Sequence, residues 1–496
     1  MEKLAIFELG YNLKLTIVKT NNGHHKVIEE MTEPLKIADD IESANLIKPK
    51  SIQDCIVVLK LYRKFCDTYG VTKTVAVANN LFFQAKNQKS FLEEVYNNTG
   101  VNFIVMSSDD EMKNLYLGVM ELIDVSKGYI IDIQNRKTNL LKFNRRNVLA
   151  TYSLDIGAIS LAEKFADNVD AGAMKAYALE ELDKANINEV FESDSIFIGT
   201  GPSLISLGRL AKKISHYSLE LENNYKVSPE LFSQVFTFTK GLDIDKTKKL
   251  KGISDDRADS LLSGFSIISA MFDKFKIPEV TISSATGTDG LISLNIEADG
   301  SDKFNDMLGT SLDNYREFSG LECENTAQVY NLAIILFKQL KVMHKLPRFY
   351  VKPLRIASSM YDAGKHIEND NYAKHGFYAV LNSGLVGASH KEIVIAAFIC
   401  SCQNLDNLNL SEWMKYKDLL NEEDLDAVRK LGVIVKLATA LDASRKGIVS
   451  DISCDILGDS VIMKTIVESD PTFEILQGMK VASDYKKVFK KFLQII

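Results

Sequence analysis

Proline is scarce, with 8 in 496 residues, and no low-complexity tract interrupts the chain. Long flexible or polyproline linkers are thereby excluded, and compact domains with short connections are expected. The six cysteines (Cys55, Cys66, Cys323, Cys400, Cys402, Cys454) are scattered and form no metal-ligand pattern beyond Cys400-Ser401-Cys402, so they read as reduced thiols. No apolar run approaches the length of a membrane span, and the first residues enter a strand without a charged-then-apolar leader. A cytoplasmic protein without a membrane partner is expected. Lys and Arg number 59 against 66 Asp and Glu, and the net charge of −7 argues against general affinity for nucleic acid. Local basic clusters do occur: Arg136, Lys137, Arg145 and Arg146; Lys246, Lys248, Lys249 and Lys251; Lys486, Lys487, Lys490 and Lys491. Each is open to two readings, a solvated face or a local anion groove.

Glycine is missing at one telling place. Tyr129-Ile130-Ile131-Asp132-Ile133 is a short apolar, β-branched run that fits a buried strand, and a carboxylate at its end is placed to orient a metal or a water. The turn that follows, Gln134-Asn135-Arg136-Lys137-Thr138-Asn139, contains no glycine. A phosphate cradle needs a backbone free to take positive φ so that successive N–H groups converge on the anion.

At 496 residues the chain should divide into three or four domains. Its first half alternates strands with amphipathic helices, as in α/β sheets with crossover connections. A hairpin over Leu4–Leu9 and Leu13–Val18 precedes a helix from Ser51 to Tyr69, a strand from Thr74 to Ala78 and a helix from Asp109 to Glu121. A second cycle opens at Asp132 and runs to a strand at Ser195–Ile198 with Gly199-Thr200-Gly201. Each cycle begins with an acid and a turn (Glu8-Leu9-Gly10; Asp132-Ile133-Gln134), a pattern of internal duplication whose site would lie in the crevice between lobes. From about Ser301 helical periodicity dominates, with separate helices expected over Glu422–Leu431 and Val433–Asp442. The last unit reads as two strands, Asp451–Leu457 and Val461–Val467, ending in a basic amphipathic helix.

Several segments together resemble the exopolyphosphatase/guanosine-pentaphosphate phosphatase (Ppx/GppA) family. Glu8-Leu9-Gly10-Tyr11-Asn12 is similar to its D-x-G-S-N loop, and Ser107-Ser108-Asp109-Asp110-Glu111 to its S-G-x-E-E segment. Asp132 to Asn139 occupies the place of its D-I-G-G-G-S-T-E loop. Gly252-Ile253 with Arg257-Ala258-Asp259 matches P-G-I-x-x-x-R-A-D, and Leu437 to Arg445 resembles the end of its HD-like helical domain.

The resemblance implies two actin-like/ribonuclease-H-like α/β lobes (1–124 and 125–300), a helical HD-like domain (301–448) and a small mixed C-terminal domain (449–496). It implies release of terminal phosphate from polyphosphate or pppGpp with Mg²⁺, and a homodimer is compatible with it. Glu111 aligns with the base that activates water. Glu8 and Asp132 align with the acids near the metal, and Gly10, Asn12, Asp132, Arg136, Lys137, Thr138, Gly157, Gly199, Gly201 and Ser203 with the phosphate-binding surface. Without the resemblance, Glu111 and Asp132 read equally as a helix-opening acid and a turn cap, and the glycines as tight strand-to-helix turns.

The departures from the family pattern are as specific as the matches. Tyr11 replaces a hydroxyl, Phe83 replaces the expected phosphate-binding Arg, and Gln134, Asn135 and Arg136 replace three glycines. In the helical domain Tyr361 replaces the paired His, Thr326 and Cys402-Gln403 stand where other histidines belong, and Asp362, His375 and Asp442 remain as remnants or packing groups. The expectation is a family phosphohydrolase with activity weak or lost. The alternative is a non-catalytic regulatory protein that binds a nucleotide or phosphate-rich ligand in the interlobe cleft.

Overall fold

In a computed structural model, residues 1–144, 147–185, 187, 195–296, 306–320, 323–402 and 408–496 are described. Arg145, Arg146, Gln403 and the expected domain boundary at 300/301 lie outside them. The chain forms two compact units, one of Met1–His216 with Glu222–Asn305, the other of Tyr217–Leu221 with Asp306–Ile496.

The first unit holds two sheets. One contains β1 (Glu2–Leu9), β2 (Asn12–Asn21), β3 (His24–Pro34), β4 (Lys73–Ala78) and β5 (Ile104–Val105) in the order β3-β2-β1-β4-β5. The other contains β6 (Lys127–Ile133), β7 (Thr138–Asn144), β8 (Asn147–Leu154), β9 (Ile196–Thr200), β10 (Tyr225–Val227) and β11 (Val280–Ile282) in the order β10-β11-β9-β6-β7-β8. Both repeat one scheme. A meander of three antiparallel strands is followed by two strands parallel to the first, with β10 added antiparallel at one edge. The duplication suggested by the acid-plus-turn pattern is thus a duplication of topology, with Glu8 in β1 and Asp132 in β6 at equivalent places.

Two helices exchange between the sheets. Met112, Leu115, Tyr116 and Val119 of the helix Ser108–Leu122 pack on Ile130, Leu141, Phe143 and Ile198 of the second sheet. Leu291 and Ile292 of the helix Gly287–Asn295 pack on Leu4, Ile6, Val18 and Val77 of the first. The helices meet closely because both carry glycine at the crossing. A Cβ at Gly118 would come within 2.4 Å of the Thr286 carbonyl oxygen, and one at Gly290 within 1.9 Å of that of Asn114. This exchange brings Glu111 and Thr288, at the starts of their helices, toward the carboxyl ends of β6 and β1.

The second unit is mainly helical around one apolar core. Two expectations fail here. Glu422–Ala440 is one helix, uninterrupted at Gly432. That glycine is a packing device, since a Cβ would lie 2.9 Å from the Cys402 Cβ and Sγ. The chain also does not end in a helix. After helices Thr472–Met479 and Ala482–Phe489, β14 (Phe492–Ile495) pairs parallel with β13 (Ser460–Val467), which pairs antiparallel with β12 (Val449–Leu457). Among the described residues no helix is long and apolar enough to cross a membrane.

Candidate active site

The helix carrying Glu111 begins with a capping box. Ser107 Oγ accepts from the Asp110 N–H at 3.1 Å, and Asp110 Oδ2 accepts in return from the Ser107 N–H and Oγ–H. Because Asp110 serves the cap, Glu111 on the next position is left to face the cleft. Its Oε1 accepts from the Asn80 N–H and its Oε2 from Asn80 Nδ2, both at 2.7 Å. Those bonds favour the carboxylate and Lys137 adds to them, yet burial outweighs them and lifts the carboxyl from 4.5 to about 7, with Asp132 and Asp110 pushing the same way. A carboxylate titrating near neutrality suits a general base. The mutual influence also places Glu111, Asp132 and Lys137 within electrostatic reach of one another.

Asp132 closes β6 beside Thr200 of β9 and Asn139 of β7, and it is 2% exposed. Its Oδ2 accepts from Gln134 Nε2 at 2.7 Å and from Asn139 Nδ2 at 3.3 Å, while Asn139 Oδ1 accepts from Ser153 Oγ. Burial raises the carboxyl from 3.8 to about 6 against those two bonds. Glu8 is raised as well, again chiefly by burial, and its Oε2 accepts from Thr288 Oγ1. Among the described residues no three of His, Cys, Asp and Glu converge to hold a metal. The donors around Glu8 and Asp132 therefore do not fit a Mg²⁺ held by the protein alone.

The turn after Asp132 is tight. Gln134 N–H donates to the Lys137 carbonyl, and Thr138 Oγ1 donates to the Ile156 carbonyl. The helix Ala158–Lys164 points its first free N–H groups at this turn. Ala158 N–H donates to Gln134 O, and Ile159 and Ser160 N–H both donate to Asn135 O. A helix N-terminus is a ready anion site when its N–H groups are open. Here the chain's own carbonyls occupy it. Gly157 makes the approach possible, since a Cβ would lie 2.5 Å from Arg136 N.

Arg136 does not face a ligand. Its guanidinium pairs with Glu163 at 2.7 Å and with Glu42 at 2.8 Å, and Tyr11 donates its hydroxyl to the same Glu42. Two family departures, Tyr11 and Arg136, thus bind to one carboxylate and cross-link the two α/β lobes of this unit. Lys137 is different. It is half-buried and, among the described residues, makes no ion pair or side-chain hydrogen bond, its charge acting on the Glu111 carboxyl.

The glycines divide by role. Gly201 takes φ +84°, and a Cβ there would lie 2.6 Å from Asp132 Oδ1 and 2.7 Å from the Ile133 carbonyl, so the loop passes directly over the β6 end. Gly199 makes room for Val280 and Leu204, and Ser203 is buried against Gly264, so both serve packing. Gly10 lies against Asn79, whose Oδ1 is buried without a partner. Asn12 is exposed at the start of β2, and its carbonyl accepts from the Gly10 N–H. Phe83 is 59% exposed.

Sequence reasoning missed Asn80 and Glu42. Only the neighbouring Phe83, read as the replacement for a family arginine, pointed to the Asn80 segment. A cavity of about 350 Å³ is lined by Ile196, Phe197, Lys226 and Glu279 at the opening of β9, opposite the Asp132 end of the sheet, and has no part in this site.

The paired sheets with exchanged helices define an actin-like α/β protein whose acids gather at strand carboxyl ends. The Ppx/GppA phosphatase family model matches residues 16–296, and that for domain III of the same family matches 311–470. The chain belongs to the Ppx/GppA phosphatase family. A guanosine-5'-triphosphate,3'-diphosphate pyrophosphatase of Pseudoalteromonas atlantica is 23% identical over 397 residues, covering 78% of this chain and 76% of the relative. Exopolyphosphatase 1 of Mycobacterium tuberculosis is 23% identical over 310 residues, covering 60% and 90%. The crystal structure of the Aquifex aeolicus family member superposes with a TM-score of 0.54 at 22% identity, over 59% of this chain and 97% of that one, a likeness of fold.

Proposed function

We propose that the chain is a phosphohydrolase homologue that engages polyphosphate or a guanosine polyphosphate in the cleft beside Glu111 and Lys137, with hydrolysis weak or lost. The observation that carries this reading is the filled cradle: the helix Ala158–Lys164 spends its N–H groups on Gln134 and Asn135. Losing one oxyanion donor typically costs roughly 10²–10³ in rate, and several are committed here at once. Glu111 is the residue on which remaining hydrolysis depends, as base to the attacking water once a ligand draws Asn80 away. Mg²⁺ would arrive with the substrate phosphates, since among the described residues no three acids converge to hold it.

The second reading, a non-catalytic holder of a phosphate-rich ligand, is favoured by Lys137, a half-buried cation that forms no ion pair with any described residue. A point charge binds an anion without the fixed geometry that speeds its hydrolysis. For the second unit we propose an HD-like fold in a structural or regulatory role. Tyr361 is bonded to Asn325, and His375 turns to Glu368 at 3.5 Å.

Phosphate release from long-chain polyphosphate and from pppGpp, with Mg²⁺ or Mn²⁺, tests the reading beside the Mycobacterium tuberculosis relative. Release below about 1% of that enzyme, and no greater than that of Glu111→Gln, is expected. Turnover within about tenfold of the relative would overturn the lost-activity reading. A thermal midpoint unmoved by either ligand would remove the binding one.

A further inference from the structure

The second unit contains a cluster of buried oxygens that the proposed function leaves unused. Helix Glu422–Ala440 ends in a loop where Asp442, 3% exposed, accepts the Gly447 N–H on Oδ1 at 3.0 Å. Glu474, fully buried in the first turn of the helix Thr472–Met479, accepts the Ser444 N–H on Oε1 at 3.3 Å. These bonds draw both carboxylates onto the same short loop. Among the described residues each has its other oxygen buried with no partner, Asp442 Oδ2 and Glu474 Oε2, and the Ser444 hydroxyl oxygen is equally buried and unpartnered.

Orphaned buried oxygens are costly, and adjacent buried carboxylates without a counter-charge cost more. Arg445, the cation that acts on Asp442, also lies 3.7 Å from Asp362 Oδ2, a third buried acid that Lys365 serves as well. One shared and 40% exposed arginine leaves the Asp442–Glu474 pair short of positive charge. An empty apolar void would need no occupant, whereas neighbouring buried carboxylates with oxygens left unpartnered are what a hard cation seeks.

We propose that Asp442, Glu474 and Ser444 form a site for one hard divalent cation of the Mg²⁺ or Ca²⁺ class, tying the end of helix Glu422–Ala440 to the C-terminal segment. Two carboxylates and a hydroxyl leave further positions for water, in keeping with Mg²⁺ sites that use one or two carboxylates and retain waters. The cation supplies the charge that Arg445 does not, and its role is to fasten structure, not to perform chemistry.

The test uses the full chain stripped with chelator and titrated calorimetrically with MgCl₂ and, separately, CaCl₂, alongside thermal unfolding. One equivalent should bind and raise the midpoint, with the tighter cation identifying the site's preference. Glu474→Gln should abolish that equivalent. Ser444→Ala, which keeps both carboxylates and their backbone bonds, should weaken it by at least the about tenfold that even an outer-shell partner typically costs. Asp132→Asn should leave it intact. No binding at millimolar cation, binding that survives both loop variants, or binding lost only in Asp132→Asn would overturn the proposal.

Discussion

Replacing Glu111 by Gln should stabilise the protein at alkaline pH and do so progressively less as the pH falls. The carboxyl rises from 4.5 to about 7 in the fold because burial outweighs the Asn80 bonds and Lys137. With tenfold in acidity worth about 1.4 kcal/mol, the ionised side chain is disfavoured in the native state by about 3 kcal/mol. The native state therefore holds the proton more tightly than the unfolded chain, so stability is highest below the unfolded value and falls as pH rises toward 7. Gln does not titrate and removes that fall. It also forfeits part of the Asn80 contact, since its amide would face Asn80 Nδ2 as donor against donor, at about 1–2 kcal/mol. That loss is independent of pH. Urea unfolding of both proteins at about pH 5 and about pH 8 should therefore show the variant gaining about 2 kcal/mol on the parent between the two conditions. A stability difference constant across that window would refute the argument, because it would mean the Glu111 carboxylate is as well solvated in the fold as in the unfolded chain.

Arg136→Ala should cost only about 1 kcal/mol in urea unfolding, because its partners Glu42 and Glu163 are partly exposed and screened. Gly201→Ala should cost about 2–4 kcal/mol by the same measurement, since the position combines φ +84° with a Cβ directed at Asp132 Oδ1 and the Ile133 carbonyl. Lys137→Met should leave the unliganded thermal midpoint within about 2 °C of the parent and remove any upward shift produced by polyphosphate. An undiminished shift in that variant would place the anion elsewhere.

Local chemistry was legible in the chain and distant pairing was not. The β6 strand and the helix holding Glu111 follow from apolar runs and a Ser-x-x-Asp capping box, signals contained within a few residues. The acid-plus-turn repeat pointed to duplication because equivalent strands end alike, though only hydrogen-bond register reveals the shared meander. Gly432 misled because glycine ordinarily punctuates a helix, and its reason lies in Cys402 on a neighbouring segment. β14 was hidden by its four-residue length and by lysines that read as an amphipathic face, while its partner β13 lies about thirty residues earlier. Arg136 was read as an anion attractor, one turn position away from Lys137. Its actual partners, Glu42 and Glu163, come from helices that sequence alone does not bring together.

That difference between Arg136 and Lys137 bears on how a phosphate site changes function. A glycine loop holds phosphate with backbone N–H groups, and side chains at the same positions alter where those groups point. Once the turn after Asp132 packs its carbonyls against the helix Ala158–Lys164, the donors are satisfied and a ligand must break existing bonds to use them. Arg136 adds a further barrier, since its ion pairs with Glu42 and Glu163 hold the two lobes in one arrangement. Glu111 and Asp132 remain between them with carboxyls near 7 and 6, groups that lose their protons in the physiological range as long as burial persists. An anion entering beside Lys137 would raise both further by repulsion, so the parent protein should take up protons when polyphosphate binds. Calorimetric titrations in buffers of different ionisation enthalpy measure that uptake directly. Uptake that falls in Glu111→Gln, leaving only the part carried by Asp132, would place the ligand at this cleft, and binding without any proton uptake near pH 7 would place it away from both carboxyls.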